Sequence, residues 1–189
     1  MPSYLFLFVI TFASSMMQPL PKSSLWQMLA IIIIVTFIIP AISIGTLRLS
    51  NFISDLSLVD KKQRIVPFLF VTCFYGISAY MFYAKLNINN LIFLVLATTT
   101  VLLFALTAIT YFWKISVHGA GIGGTIGFML AISLVYPIPH FAIALAISII
   151  MAGIIVYARL SLNAHTPLQV YTGVALGILL CYSSLYFFL

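Results

Sequence analysis

Seven stretches of the chain are apolar for about the length of a bilayer crossing: roughly 4 to 20, 25 to 47, 65 to 85, 91 to 111, 119 to 136, 139 to 157 and 168 to 188. A transmembrane helix needs about 20 such residues. The first stretch is the weakest, being short and diluted by Ser14, Ser15 and Gln18. Between the stretches stand turn and helix-start residues: Pro19 to Ser24, Asn87 to Asn90, Pro137 with Pro139, and Asn163 to Pro167. One longer connection, Arg48 to Arg64, is polar enough to lie at the headgroup level and too short to form a domain. The pattern predicts an all-α, polytopic membrane helix bundle of six or seven transmembrane helices, forming one domain over residues 1–189.

Composition excludes a water-soluble alternative. The chain is 64% hydrophobic and 5% charged, with a mean hydropathy of +1.26, whereas roughly a quarter of the residues of a soluble domain are charged. Eight Lys and Arg residues against Asp55 and Asp60, with no Glu, give a net charge of +6. They are scattered along the chain, as expected of anchors at membrane boundaries that meet anionic headgroups, so no nucleic-acid partner is expected. Cys73 and Cys181 lie inside apolar runs without CxxC spacing, which suggests neither a metal site nor a disulfide. The N-terminal stretch has no basic leading region and no small-residue cleavage site, and is not read as a signal peptide.

Counting crossings adds something that composition does not show. Arg64 stands at the start of the third stretch, and Lys114 and His118 stand two crossings later. Arg159 and His165 follow after two more. An even number of crossings returns the chain to the same side, so these five residues share one membrane face whichever way the protein inserts. Two imidazoles among permanent cations suit an oxyanion: guanidinium forks bind phosphate bidentately, and imidazole attacks or donates a proton near neutral pH. With no Glu and no His pair at ligand spacing, neither a zinc or magnesium cage nor another cofactor is expected. His140 falls on the opposite face and is read as interfacial.

Gly119, Gly121, Gly123 and Gly124 follow His118 at a helix start. Two readings stay open: an anion nest of backbone N–H groups at the positive helix end, or close packing against another helix. The preceding apolar helix excludes a dinucleotide fingerprint, which would follow a strand.

The stretch Tyr157-Ala158-Arg159-Leu160-Ser161-Leu162-Asn163-Ala164-His165-Thr166-Pro167-Leu168-Gln169 resembles the third motif of the type 2 phosphatidic acid phosphatase superfamily. That motif is Ser-Arg, five residues, His, three residues, Asp. Lys114-Ile115-Ser116-Val117-His118-Gly119 resembles its second motif, Pro-Ser-Gly-His, and Lys61-Lys62-Gln63-Arg64-Ile65-Val66-Pro67 is a loose counterpart of the first. Met1 to Tyr4, Asp60 to Phe68, Lys114 to Gly124 and Leu162 to Gly177 are similar to a divergent bacterial branch of that superfamily. The resemblance implies a lipid phosphate phosphohydrolase of the bacterial inner membrane that needs no metal. His165 would attack phosphorus and His118 would protonate the leaving oxygen. Arg159, Arg64 and Lys61 or Lys62 would hold the phosphate, with Ser116 and Gly119 of the second motif beside them. The implied substrate is a phosphorylated glycerolipid, a lipid A precursor or an isoprenoid (di)phosphate, met in the bilayer.

The chain departs from the motifs at named positions. Ile115 and Val117 replace Pro and Gly, Ala158 replaces Ser, and the first-motif Lys falls at Ser57. Gln169 occupies the Asp position, four residues after His165 and therefore on the same helical face. A carboxylate there would orient the ring and stabilise its charge; an amide orients it without charge. A relative that binds or moves a lipid phosphate without cleaving it is thus the second expectation, and a structural membrane subunit the third. The motif face carries Arg48, Lys61, Lys62, Arg64, Lys114 and Arg159, against Lys22 and Lys85 on the other. Setting aside Arg64, Lys114 and Arg159 as substrate ligands leaves three against two, which does not fix orientation.

Overall fold

The computed structural model describes residues 2–17, 21–50, 62–84, 90–136 and 139–188. Seven helices run through them. Helix α1 is Pro2–Phe12, followed by a 3₁₀ turn at Ser14–Met17. Helix α2 runs from Lys22–Ile33 through a π-helical turn, Ile34–Ile38, into Ile39–Leu49. Then come α3 (Lys62–Ala84), α4 (Asn90–Phe112), α5 (Val117–Val135), α6 (Pro139–Ser161) and α7 (Pro167–Phe188). Helices α2 to α7 are long and apolar enough to cross a membrane.

Helix α1 does not fit the crossing expected over residues 4 to 20. Its 11 residues extend only about 16 Å, half of a hydrocarbon core of about 30 Å. At Ala13 the helix stops, and Ser14–Met17 take the tighter 3₁₀ geometry. The short helix is nonetheless part of the core, with Leu5, Phe6 and Val9 fully buried. Its depth follows from its partners. The Ser3 hydroxyl meets that of Thr36, halfway along α2, at 3.0 Å, and Phe12 stacks on His140 at the start of α6, ring centroids 5.3 Å apart. Helix α1 therefore fills the half of the bundle away from the face that holds His118 and His165.

The π turn serves the same junction. Its wider register releases a carbonyl from the helical ladder, and the Tyr75 hydroxyl of α3 donates to the Thr36 carbonyl at 3.1 Å. The Thr36 hydroxyl itself donates back to the Ile32 carbonyl at 2.6 Å.

Helices α5 and α7 make the closest pairing, and glycine is the reason. A Cβ added to Gly119 would stand 2.8 Å from the Val170 carbonyl oxygen, and one on Gly127 would stand 2.6 Å from that of Ile178. Gly123 lies equally hard against the backbone of Val174, and from the other side Gly173 and Gly177 lie against Ser116 and Ala120. Spaced four apart, these residues form one stripe on each helix and let the two backbones touch. At Gly119, Gly123 and Gly127 the packing reading of the glycine run therefore applies. Where the helices begin, the Ser116 N–H donates to the Gln169 carbonyl at 3.1 Å, so the two starts are also pinned.

A side chain at this contact should be costly. Gly177→Ala is expected to lower the melting temperature of the detergent-solubilised protein, with an overpacking cost of about 1–3 kcal/mol. Gly153→Ala, where nothing lies within 4 Å of the new methyl, should leave it unchanged or raise it. Equal melting temperatures for the two variants would contradict the close α5–α7 contact.

Candidate functional site

The ends of four helices bring the site together: the starts of α3, α5 and α7, and the end of α6. Arg64 lies in the first turn of α3 and is buried, with 7% of its surface accessible. His118 is the second residue of α5 and is exposed. Arg159 lies in the last turn of α6. His165 sits half-buried in the connection to α7.

That connection is closed by local chemistry that the sequence dictates. Asn163 adopts a left-handed conformation, φ 49°, which its short amide tolerates. The Asn163 N–H donates to the Leu160 carbonyl at 3.0 Å and the Ala164 N–H to the Arg159 carbonyl at 3.2 Å. This is a Schellman ending, and it fixes the short path from Arg159 to His165.

Helix α7 then starts with a capping box. Gln169 donates its N–H to the Thr166 hydroxyl at a long 3.4 Å, and the Thr166 N–H donates to Gln169 Oε1 at 3.2 Å. Pro167 occupies the first helical position, where no N–H is needed. A backbone N–H can only donate, so the Gln169 atom facing it must be the oxygen. The same oxygen lies 3.1 Å from His165 Nδ1. In this arrangement Nδ1 carries the proton and donates it to Gln169 Oε1, and the Lys114 backbone is a further hydrogen-bond partner of the ring.

His165 and Gln169 line an open groove with Lys114, Asn163 and Thr166. The His165 ring has a pKa below the usual histidine value, chiefly because burial penalises its charge. The Gln169 bond opposes this, as does a hydrogen bond to the Lys114 backbone, while the Arg64 and Lys114 charges reinforce it. Lys114 is lowered as well, first by burial and then by Arg64. His118 in turn feels the charges of Arg159, His165 and Arg64, and Arg64 feels that of Arg159. All five groups thus share one electrostatic environment. The chain's only acids, Asp55 and Asp60, fall outside the described residues. Arg159 Nε is buried and has no hydrogen-bond partner among the described residues.

The remaining expected residues are placed differently. Ser116 is fully buried, and its oxygen caps α5 by accepting the Gly119 N–H at 3.2 Å. The Gly119 N–H is therefore used within the helix start, and Ser116 Oγ accepts there from a buried position. Lys61 lies outside the described residues, and Lys62 is the first residue of α3. Sequence reasoning passed over Thr166, although Thr166-x-x-Gln169 before an apolar run is a capping signature. Among the described residues no three His, Cys, Asp or Glu side chains come together.

The lowered pKa of His165 and its contact with Gln169 can be tested by acylation of neutral imidazole with diethyl pyrocarbonate, mapped by mass spectrometry across pH. His165 is expected to reach half-modification below the ordinary histidine value of about 6.5. Its folded pKa is depressed, so the neutral ring persists to lower pH. Gln169→Glu, which keeps the reach and adds a negative charge, should move that midpoint upward. An unchanged midpoint would break the contact between residues 165 and 169.

Compared with protein-family models, curated proteins and solved structures, the chain matches none, so any functional reading rests on this geometry and on the motif resemblance.

Proposed function

We propose that the protein is a membrane-embedded phosphohydrolase that removes phosphate from a lipid phosphate through His165, without a metal. The observation that carries this reading is the His165 ring held by Gln169 through Nδ1. Nε2 is then the nucleophilic atom, in a site whose Arg159 Nε lacks a partner among the described residues. Arg159 and Arg64 bind the phosphate oxygens, neutralising charge and aligning phosphorus with Nε2. His165 Nε2 forms a bond to phosphorus as the phosphorus–oxygen bond to the lipid breaks. The departing lipid oxygen takes a proton from His118, which thereby becomes the base for the second half. Water, losing a proton to His118, then attacks the phosphorylated ring, releasing inorganic phosphate and restoring both histidines. Gln169 orients His165 without neutralising the positive charge that develops on it, so this site should turn over slowly. In a serine protease, changing the Asp that orients the catalytic histidine to its amide costs about 10⁴ in turnover.

The same amide favours a second reading, in which the chain binds a lipid phosphate and does not cleave it. Substrates of either reading are a phosphorylated glycerolipid, a lipid A precursor or an isoprenoid phosphate, and the membrane is the bacterial inner membrane.

Phosphate release from a panel of these lipids by pure protein decides between them. The hydrolase reading expects release that His165→Ala abolishes and Arg159→Ala reduces by roughly 10²-fold or more, the loss of a charge-assisted transition-state contact. No release from any lipid, with binding that survives His165→Ala and is lost in Arg159→Ala, would replace it with the binding reading.

A further inference from the structure

Below His118 lies a cavity of about 400 Å³, within the range of ligand pockets. Its upper walls are apolar, among them Leu106, Val117, Ile122 and Ile155. Its deep end is ringed by hydroxyl groups: Tyr4, Tyr75, Thr99, Thr125 and Ser148. Four of these are committed. Thr99, Thr125 and Ser148 donate to carbonyls of their own helices, and Tyr75 donates to the Thr36 carbonyl. The ring has no hydrogen bond to offer a ligand from those four donors, yet it is polar, and it marks where the apolar lining ends.

Three helices give the depth. From Leu106 to Thr99 on α4, from His118 to Thr125 on α5 and from Ile155 to Ser148 on α6 the separation is two turns, about 10 Å at 1.5 Å per residue. The floor stands where α1 begins, because Ser3 is tied to Thr36 at the middle of α2. On the side, α3 contributes Val71 and Tyr75 and α6 contributes Met151 and Ile155. Helix α3 packs on α4 and α6 packs on α5, and Met151 of α6 is exposed although it lines the cavity.

We infer that this cavity receives the hydrocarbon tail of the lipid phosphate and that the half-length helix α1, through Tyr4 and the hydroxyl ring, limits how much tail is recognised. The inference rests on the proposed function, because His118 belongs both to the cationic site and to the cavity wall. A staggered chain with bonds of about 1.5 Å advances roughly 1.3 Å per carbon, so about eight carbons reach the floor. Carbons beyond that pass the end of the apolar lining and add no contact with it.

Monoalkyl phosphates of increasing length test this on the full-length detergent-solubilised protein, by thermal stabilisation for binding and by phosphate release for turnover. Apparent affinity is expected to rise by up to roughly fourfold per methylene until about eight carbons and then level off. Tyr4→Ala should move the break to longer chains, and Ser148→Phe should move it to shorter ones. Thr125→Ala, a smaller change at the same floor, provides a further shift to longer chains if the Phe variant does not fold. A break at the same length in all variants, or no break, overturns the inference even if phosphate is released. A break that moves as expected without phosphate release supports the tail cavity and overturns hydrolysis. Neither stabilisation nor release from any chain length overturns both.

Discussion

Contact between the backbones of α5 and α7 is the constraint on which the site depends. His118 belongs to one helix and His165 and Gln169 to the start of the other, so their separation is the separation of two helix starts. Side chains at the interface would hold the helices at the ordinary 8–10 Å between axes. The glycine stripe removes those side chains, and the Ser116 N–H to Gln169 carbonyl bond fixes the register. In a bilayer this matters more than in water, since lipid tails are as apolar as the helices and association must come from close packing and hydrogen bonds.

From that anchor the chemistry follows by short covalent paths. The Schellman turn at Asn163 sets Arg159 relative to His165, and the capping box at Thr166 sets Gln169 relative to both. Gln169 thus has two duties at once. Its oxygen closes the start of α7 and also fixes the tautomer of His165. An Asp would accept the same two hydrogen bonds from a shorter reach and add charge. What the amide gives up is electrostatic stabilisation of a positive ring, while orientation is kept. Under the proposed function, an amide in place of an acid would change rate and pH response before it removed the site.

Much of this is legible in the order of residues. Long apolar runs and the even number of crossings between Arg64, His118 and His165 are enough to collect the cations on one face, because membrane topology leaves few alternatives. Three features are not legible. The first stretch reads as the weakest crossing, diluted by Ser14, Ser15 and Gln18, but hydropathy does not say where a helix stops, and α1 ends before Ala13. The glycines after His118 fit two roles equally, and only the position of α7 against them decides. Ser116 has the place of a phosphate ligand in the motif, but a serine immediately before a helix also caps it, and here the local bond to Gly119 takes its oxygen.

Under the proposed function, an anionic ligand would offset the cost of gathering charge at this face. Two like charges about 8 Å apart repel by roughly 2 kcal/mol at an effective dielectric of 20, and Arg64, Lys114 and Arg159 bear permanent charge beside two imidazoles. A helix bundle has no structural need to pool them, since scattered anchors serve the interface equally well. The lowered pKa values of His165 and Lys114 reflect burial first and that repulsion second. Both would relax when an oxyanion enters, which would raise the proton affinity of the surrounding groups. Under the proposed function, binding and protonation at this face would therefore be coupled, and a phosphate ester that arrives with its tail in the bilayer would meet its proton donor only on reaching the cluster.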